Sequence, residues 1–347
     1  MPDISIRKAG RTGRITLNRP KAMNALTWDM CLAIEQALDC WRDDDAVQMV
    51  LIDAMGDKAF CAGGDIAEMY ATATQGDYDY GQRFWRDEYR LNAKMDAYPK
   101  PIVTFLQGFT MGGGVGVGCH ASHRIVCENS QIAMPECTIG LVPDVGGSLL
   151  LAKAPGHWGE YLGLTGTRMG PADAIEAGFA DSFVASSAWD ALKTDLEASG
   201  DPAIINAHTT APDQGTLSAQ TALINRHFSA TSLPDIARSL ASDDSDFAQA
   251  AHKALTRNAP LAMATALRII RAVRTAPSIR NALDQEFRYT YRCGAQGDFV
   301  EGIRAAIIDR DRTPKWQHAS FDAVPEEEIA AMRAPLGEAA LQWEDTQ

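Results

Sequence analysis

Between Gly112 and Gly118 the chain packs five glycines into seven residues, Gly112-Gly113-Gly114-Val115-Gly116-Val117-Gly118. A stretch with so few Cβ atoms is costly to order, and it suits a place where backbone must come close to something else. The preceding run, Pro101–Leu106, is apolar throughout except for Thr104 and predicts a buried strand. Small residues then continue to Ala121, so the pattern predicts a strand, a glycine turn and a helix. Glycines at such a turn let a ligand approach bare backbone, and the helix start offers unpaired N–H groups to an anion.

Two carboxylates follow in sequence that is otherwise almost wholly apolar. Glu136 stands in Met134-Pro135-Glu136, and Asp144 opens Asp144-Val145-Gly146-Gly147 eight positions later. Acids in apolar surroundings titrate high, which suits general acid/base work. A plainer account stands beside this one: Asp144 caps a helix over Val145–Leu151, and Glu136 pairs with an arginine. Upstream, Ala59-Phe60-Cys61-Ala62-Gly63-Gly64-Asp65-Ile66 is a second glycine turn opening a helix, with Asp65 at its start. Two such turns can each aim one backbone N–H at the same oxygen, which is an oxyanion hole.

FCAGGDI (60–66), TMGGGVG (110–116) and the MPE segment together resemble the crotonase (enoyl-CoA hydratase/isomerase) superfamily. RDEYRLN (86–92), MPECTIGLVPDVGG (134–147), LTGTRMGPADAIEAGFADSFV (164–184) and RAAIIDRDRTPKW (304–316) narrow the resemblance to its 3-hydroxyisobutyryl-CoA hydrolase family, from Ile15 to Trp316. That resemblance implies an α/β fold with a crotonase-type ββα spiral core and a C-terminal helical region. It implies hydrolysis of a short-chain 3-hydroxyacyl-CoA thioester, with 3-hydroxyisobutyryl-CoA the favoured substrate and valine catabolism the setting. By position, Gly64 and Gly113 are the oxyanion donors. Glu136 is the base that activates water or a nucleophile, and Asp144 orients the substrate hydroxyl or shares a proton with Glu136. Glu88 matches a glutamate lining the family's substrate site, although by its own sequence context it is most simply a solvated surface acid. Ala22 falls in the loop that cradles the adenine end, and Ala62, Gly63, Asp65, Ile66 and Gly112 complete the substrate-binding set. Coenzyme A enters as part of the substrate, so no separate cofactor is implied. Hydratases of the superfamily carry a second catalytic glutamate just after the triple glycine, where this chain has Gly116. An enoyl-CoA hydratase/isomerase of unusual acid placement and a non-catalytic acyl-CoA-binding protein are the alternatives.

Composition narrows the partners. A net charge of −13 over 347 residues argues against general nucleic-acid binding. The N-terminal MPDISIRKAGRTGR lacks the apolar core of a signal peptide, and no stretch nears the ~18 uninterrupted apolar residues of a membrane span. Seven cysteines without framework spacing point to a reducing, cytoplasmic setting. Cys119, His123, Cys127 and Cys137 lack the spacing of a metal site, and no G-x-S-x-G pentapeptide occurs. Gly116–Ala121 fits G-x-G-x-x-A, but a dinucleotide fingerprint follows its strand at once, and here nine residues intervene after Leu106. One stretch runs against the overall charge. Ala251–Arg280 holds Lys253, Arg257, Arg268, Arg271, Arg274 and Arg280 with no acid, which fits coenzyme phosphates, a solvated helix face or a subunit contact. Homo-oligomer formation is left open.

In chain order, Ile4–Arg7 and Arg14–Leu17 predict a hairpin, Met49–Asp53 a strand, Arg83–Met95 a helix and Arg124–Cys127 a strand. Asp201–Gly215, rich in Pro, Thr and Ala, reads as loop, and the remainder as helix, notably over Thr265–Val273, Ala282–Cys293 and Asp298–Asp309. The expected division is therefore 1–200, a spiral core with the acyl-CoA site, and 201–347, a helical region covering it.

Overall fold

The strands Met49–Ala54 (β3) and Ile102–Phe105 (β5) are buried at every residue. Parallel strands covered on both faces need no polar alternation, which is why these runs read as continuous apolar sequence. They sit at the centre of a six-stranded sheet ordered β1 (Ile4–Ala9), β2 (Thr12–Leu17), β3, β5, β7 (His123–Val126) and β9 (Ser182–Phe183). β1 and β2 form the expected hairpin, extended on both sides of its turn and antiparallel, and every later pairing is parallel. A second, three-stranded parallel sheet has the order β4 (Ala59–Cys61), β6 (Phe109–Met111), β8 (Gln131–Ala133). Three times in succession the chain gives one strand to the large sheet and the next to the small one. That alternation is the ββα spiral, and it makes the fold class α/β.

The computed structural model describes residues 2–343. They fall into two compact units, one of Met1–Asp65, Leu91–Ala133 and Arg168–Thr216, the other of Ile66–Arg90, Met134–Thr167 and Leu217–Gln347. All nine strands named above belong to the first unit. In its core Met49, Leu51, Val103, Phe105 and Ile125 pack on Trp189, Leu192 and Leu196 of the helix Trp189–Ser199. The second unit is helical, so the single break near residue 200 is replaced by an interleaved division. The reason is packing: the helices Gly147–Lys153 and Trp158–Thr165 bury against the helix Pro260–Thr275 within the same unit. A Cβ on Gly163 would come within 2.9 Å of Ile270 and 3.0 Å of Leu151, so that packing is tight. Among the described residues no helix is long and apolar enough to cross a membrane.

Three of the six basic residues in the acid-free stretch are engaged inside this second unit. Arg274 grips the fully buried Glu160 with contacts of 2.6 and 2.7 Å. Arg271 donates to the carbonyls of Phe228, Ala230 and Thr231, and Arg268 pairs with Glu326 at 3.0 Å. These three arginines hold helices together, and the coenzyme-phosphate alternative for them falls away.

The glycine helix Gly113–Gly118 lies directly on β4. A Cβ at Gly114 would sit 2.1 Å from the carbonyl oxygen of Cys61, a backbone atom that cannot swing aside. Gly114→Ala should therefore destabilise the protein by about 1–3 kcal/mol or more through overpacking. Gly170→Ala is the control, because its Cβ would meet nothing within 4 Å. Urea unfolding of the two variants makes the comparison, and equal midpoints would show that the helix and β4 are not so closely apposed.

Candidate active site

In the first unit two glycine turns lie next to each other, because β4 and β6 pair in parallel with Cys61 opposite Thr110. One turn leaves β4 through Ala62, Gly63, Gly64 and Asp65; the other leaves β6 through Gly112 and Gly113. Gly63 (φ +126°) and Gly112 (φ +49°) take backbone angles that side chains resist. Leu26 N–H donates to the Gly63 carbonyl at 2.9 Å and the Leu26 carbonyl accepts from Asp65 N–H at 2.8 Å. The Gly64 amide between them is left with no acceptor among the described residues. Gly113 is the first residue of its helix, a position whose N–H has no acceptor within the helix. Both amides are thus available. Ala22 ends a short 3₁₀ turn, and Met23 beside it accepts from Ala62 N–H at 3.1 Å. Asp65 does not cap the next helix; it pairs with Arg19 at 2.8 Å. Ala22, Ala62, Gly63, Gly64, Asp65, Gly112 and Gly113 therefore share one neighbourhood. Ile66 starts the second unit, at the N-terminal edge of the helix Ala67–Ala73.

The second unit gathers the carboxylates. Glu136 opens a single 3₁₀ turn, Glu136–Ile139, closed by Gly140 in the left-handed region. Asp144 follows, and the helix Asp79–Asp96 contributes Glu88. All three are buried, with 5%, 4% and 3% of their surface exposed. For Glu88 this overturns the expectation of a solvated surface acid. Phe84, Trp85 and Tyr89 are buried too, and Glu88 stands three and four residues beyond the first two, on the same apolar face. Glu136 has no arginine partner; its Oε2, like Oε1 of Glu88, is buried without a hydrogen bond among the described residues. Burial and then the nearby Asp144 charge push both Glu88 and Glu136 well above the ordinary carboxylate range. Burial also carries Asp144 up to about 7, against a hydrogen bond that the Tyr89 hydroxyl donates to Asp144 Oδ2 at 2.7 Å.

Asp144 is not a helix cap either. The helix begins at Gly147, behind Gly146 (φ +78°), and takes no side-chain cap from its own flank. Glu286, on the helix Ile279–Gln296, supplies one from afar. Its carboxylate accepts from Gly146 N–H at 2.8 Å, from Ser148 N–H at 3.0 Å and from the Ser148 hydroxyl. Burial pushes Glu286 up to about 8 despite these donors. From the same helix Tyr289 donates to the Gly140 carbonyl at 3.0 Å, and Thr290 Oγ1 lies 3.4 Å from the Tyr89 hydroxyl. Tyr89, Ser148 and Glu286 escaped the sequence analysis. The available signal was the polar set Glu286, Tyr289 and Thr290 at helical spacing within an otherwise apolar face.

Chemically, this is a group of acids that burial lifts above the ordinary carboxylate range, Asp144 to about 7 and Glu286 to about 8.

The model of the enoyl-CoA hydratase/isomerase family matches residues 12–332. The chain belongs to that family. It is 36% identical to the 3-hydroxyisobutyryl-CoA hydrolase, mitochondrial, of Gallus gallus, over 96% of this chain and 89% of the relative. A solved structure described as an enoyl-CoA hydratase from Rhodobacter sphaeroides 2.4.1 superposes with a TM-score of 0.95 at 53% identity, covering 99% of this chain and all of the other. A second, described as a carnitinyl-CoA dehydratase from Mycobacterium thermoresistibile, gives a TM-score of 0.95 at 37% identity over 99% and 100% of the two chains. As a member of the family, the chain carries the two glycine turns and Glu136 on the crotonase fold.

Asp144 yields a test of the electrostatics that needs no substrate. In an unfolded chain an aspartate titrates at about 3.9; folded, Asp144 titrates at about 7. Below about pH 4 both states hold the proton, and Asp144 costs nothing. Between those values the unfolded chain has released it and the fold has not, so rising pH favours unfolding, and the cost persists above about pH 7. Asp144→Asn carries no charge at any pH and should lose less stability than the parent between about pH 4 and 8. Thermal melts across that range report it; parallel curves for the two proteins would mean that Asp144 ionises as readily folded as unfolded.

Proposed function

We propose that the chain hydrolyses short-chain 3-hydroxyacyl-CoA thioesters, with 3-hydroxyisobutyryl-CoA as the favoured substrate. The observation that carries this is a pair of buried carboxylates, Asp144 raised by burial and Glu136 by burial and the nearby Asp144 charge, in a chain with Gly116 where the family's hydratases have their second glutamate. Adding water across an alkene needs an acid and a base placed for that geometry, and Gly116 can be neither. Attack on a thioester carbonyl needs one activated oxygen nucleophile and a place for the developing oxyanion. The free amides of Gly64 and Gly113 fit the second role, and the unpartnered Oε2 of Glu136 fits the first.

In this proposal Glu136 either draws a proton from water or attacks the carbonyl itself to give a transient anhydride. Asp144, held by Tyr89, receives the substrate hydroxyl or exchanges a proton with Glu136. Glu88 lines the acyl site, and Ala22, Ala62, Gly63, Asp65, Ile66 and Gly112 serve the coenzyme through their backbone. The name of the Gallus gallus relative supports the hydrolase. That of the Rhodobacter sphaeroides structure supports the alternative, an enoyl-CoA hydratase. Seven free cysteines, six of them buried, support a reducing compartment, which the sequence alone reads as the cytoplasm, whereas the relative is named a mitochondrial protein.

A panel of acyl-CoAs separates the two activities. The protein should release free thiol from 3-hydroxyisobutyryl-CoA and 3-hydroxypropionyl-CoA and hydrate crotonyl-CoA poorly. Rapid hydration of crotonyl-CoA with no thiol release would overturn the proposal in favour of the hydratase. Within the panel, Glu136→Gln keeps the size and a hydrogen-bonding end but removes the base or nucleophile. Its kcat should fall by at least ~10²; turnover within a few-fold of the parent would leave Glu136 a structural acid.

A further inference from the structure

The turn that carries Asp144 is held in a conformation its own residues do not favour. Val145 has φ +53° and Gly146 φ +78°, two successive left-handed residues. For glycine that is easy, but for a β-branched side chain it is a genuine outlier, and Val145 is also fully packed, at 1% exposure. Such backbone persists only where its surroundings over-determine it. Within the turn, Gly147 N–H donates to the Asp144 carbonyl at 2.7 Å. Glu286, which is 140 residues from Gly146 in the chain, holds the turn from outside. One carboxylate oxygen takes Gly146 N–H and the other takes both the N–H and the hydroxyl of Ser148, so the two oxygens bracket the turn. The helix that carries Glu286 is itself fixed to the same loop, because Tyr289 binds the Gly140 carbonyl. It also packs edge-on against Tyr89 through Phe287, with ring centroids 6.0 Å apart, and Tyr89 is the donor to Asp144.

We propose that Glu286 is a positioning residue for Asp144: its buried carboxylate clamps the strained Val145 turn and thereby sets where the Asp144 carboxyl points, without meeting substrate itself. The inference rests on Asp144 taking part in thioester hydrolysis. Glycine at position 145 would need no clamp; a valine there makes the placement of Asp144 depend on a residue from the far end of the chain.

The test is Glu286→Gln, which is equal in size but turns one accepting oxygen into a donor facing backbone N–H, so at least one of the three bonds is lost. The expected result is a fall in kcat of about 10–100-fold, the scale set by sub-ångström to ångström misplacement, with KM for 3-hydroxyisobutyryl-CoA nearly unchanged. Amide hydrogen exchange should quicken in the peptide covering 141–149 and stay as before in the peptide covering β3. Ser148→Ala, which removes one donor and leaves the carboxylate, should shift both readouts in the same direction by less, and it carries the test if Glu286→Gln does not fold. A turnover and a 141–149 exchange rate equal to the parent's would sink the proposal. So would a loss of turnover accompanied by faster exchange everywhere, because Glu286 would then serve the fold as a whole. If the parent releases thiol from none of the acyl-CoAs, the hydrolase proposal fails by itself, and the local exchange comparison still decides whether Glu286 holds the turn.

Discussion

Four carboxylates, Glu88, Glu136, Asp144 and Glu286, are buried in one helical unit, and among the described residues none is paired with a lysine or arginine. Moving an ionised carboxylate out of water without a counter-ion costs several kcal/mol, so a buried acid pairs, keeps its proton, or draws on neutral donors. Glu160, in the same unit, takes the first course. It is fully buried too, yet the Arg274 fork holds it below the ordinary carboxylate range in spite of its burial. The four clustered acids take the other two courses, and all of them are raised. Glu160 is fixed as an anion, whereas Asp144 and Glu286 titrate at about 7 and about 8, where a proton can be gained or lost at little cost.

In the strand-bearing unit the candidate groups are backbone amides rather than side chains. Its glycine helix can rest on β4 only because Gly114 has no Cβ, and the same closeness leaves the adjoining turns of Gly63-Gly64 and Gly112-Gly113 stripped of side chains. An amide is a useful oxyanion donor when it is fixed and unspent before substrate arrives. The ladder through Leu26 does both for Gly64, using the groups on either side and leaving that N–H alone. The glycine run thus reads as one device. It allows the close packing, and that packing exposes the amides.

Features confined to a short window were legible in the sequence. The buried parallel strands show as apolar runs, the glycine turns as composition, and Glu136 and Asp144 as acids in an apolar stretch. What failed to show depends on partners far along the chain. Glu88 sits between Asp87 and Tyr89 and close to Arg86 and Arg90, a context that looks solvated until a helix from the second half of the chain covers that face. The arginines of 268–274 look uncompensated because Glu160 lies over 100 residues earlier and the carbonyls they bind have no sequence signature. The division into units was hidden for the same reason. Helices before residue 200 pack with helices after it, and periodicity reveals an apolar face without revealing its neighbour.

The treatment of Asp144 is the most informative of these differences. A capping rule looks for an acid just before a helix, and Asp144, three residues ahead of Gly147, is the obvious choice. Had it capped, its oxygens would be occupied by backbone N–H groups, and such bonds pull a carboxylate's pKa down. Its oxygens would then be spent on the helix terminus, as those of Glu286 are. The structure instead assigns the cap to Glu286, and Asp144 keeps one oxygen bonded to a phenol, a neutral donor too weak to offset burial. With Glu286 as the cap, the helix terminus is satisfied and the Asp144 carboxyl is left with the Tyr89 bond. The capping role also explains why the second acid must be buried: an exposed carboxylate would share its oxygens with water and grip the Val145 turn only weakly.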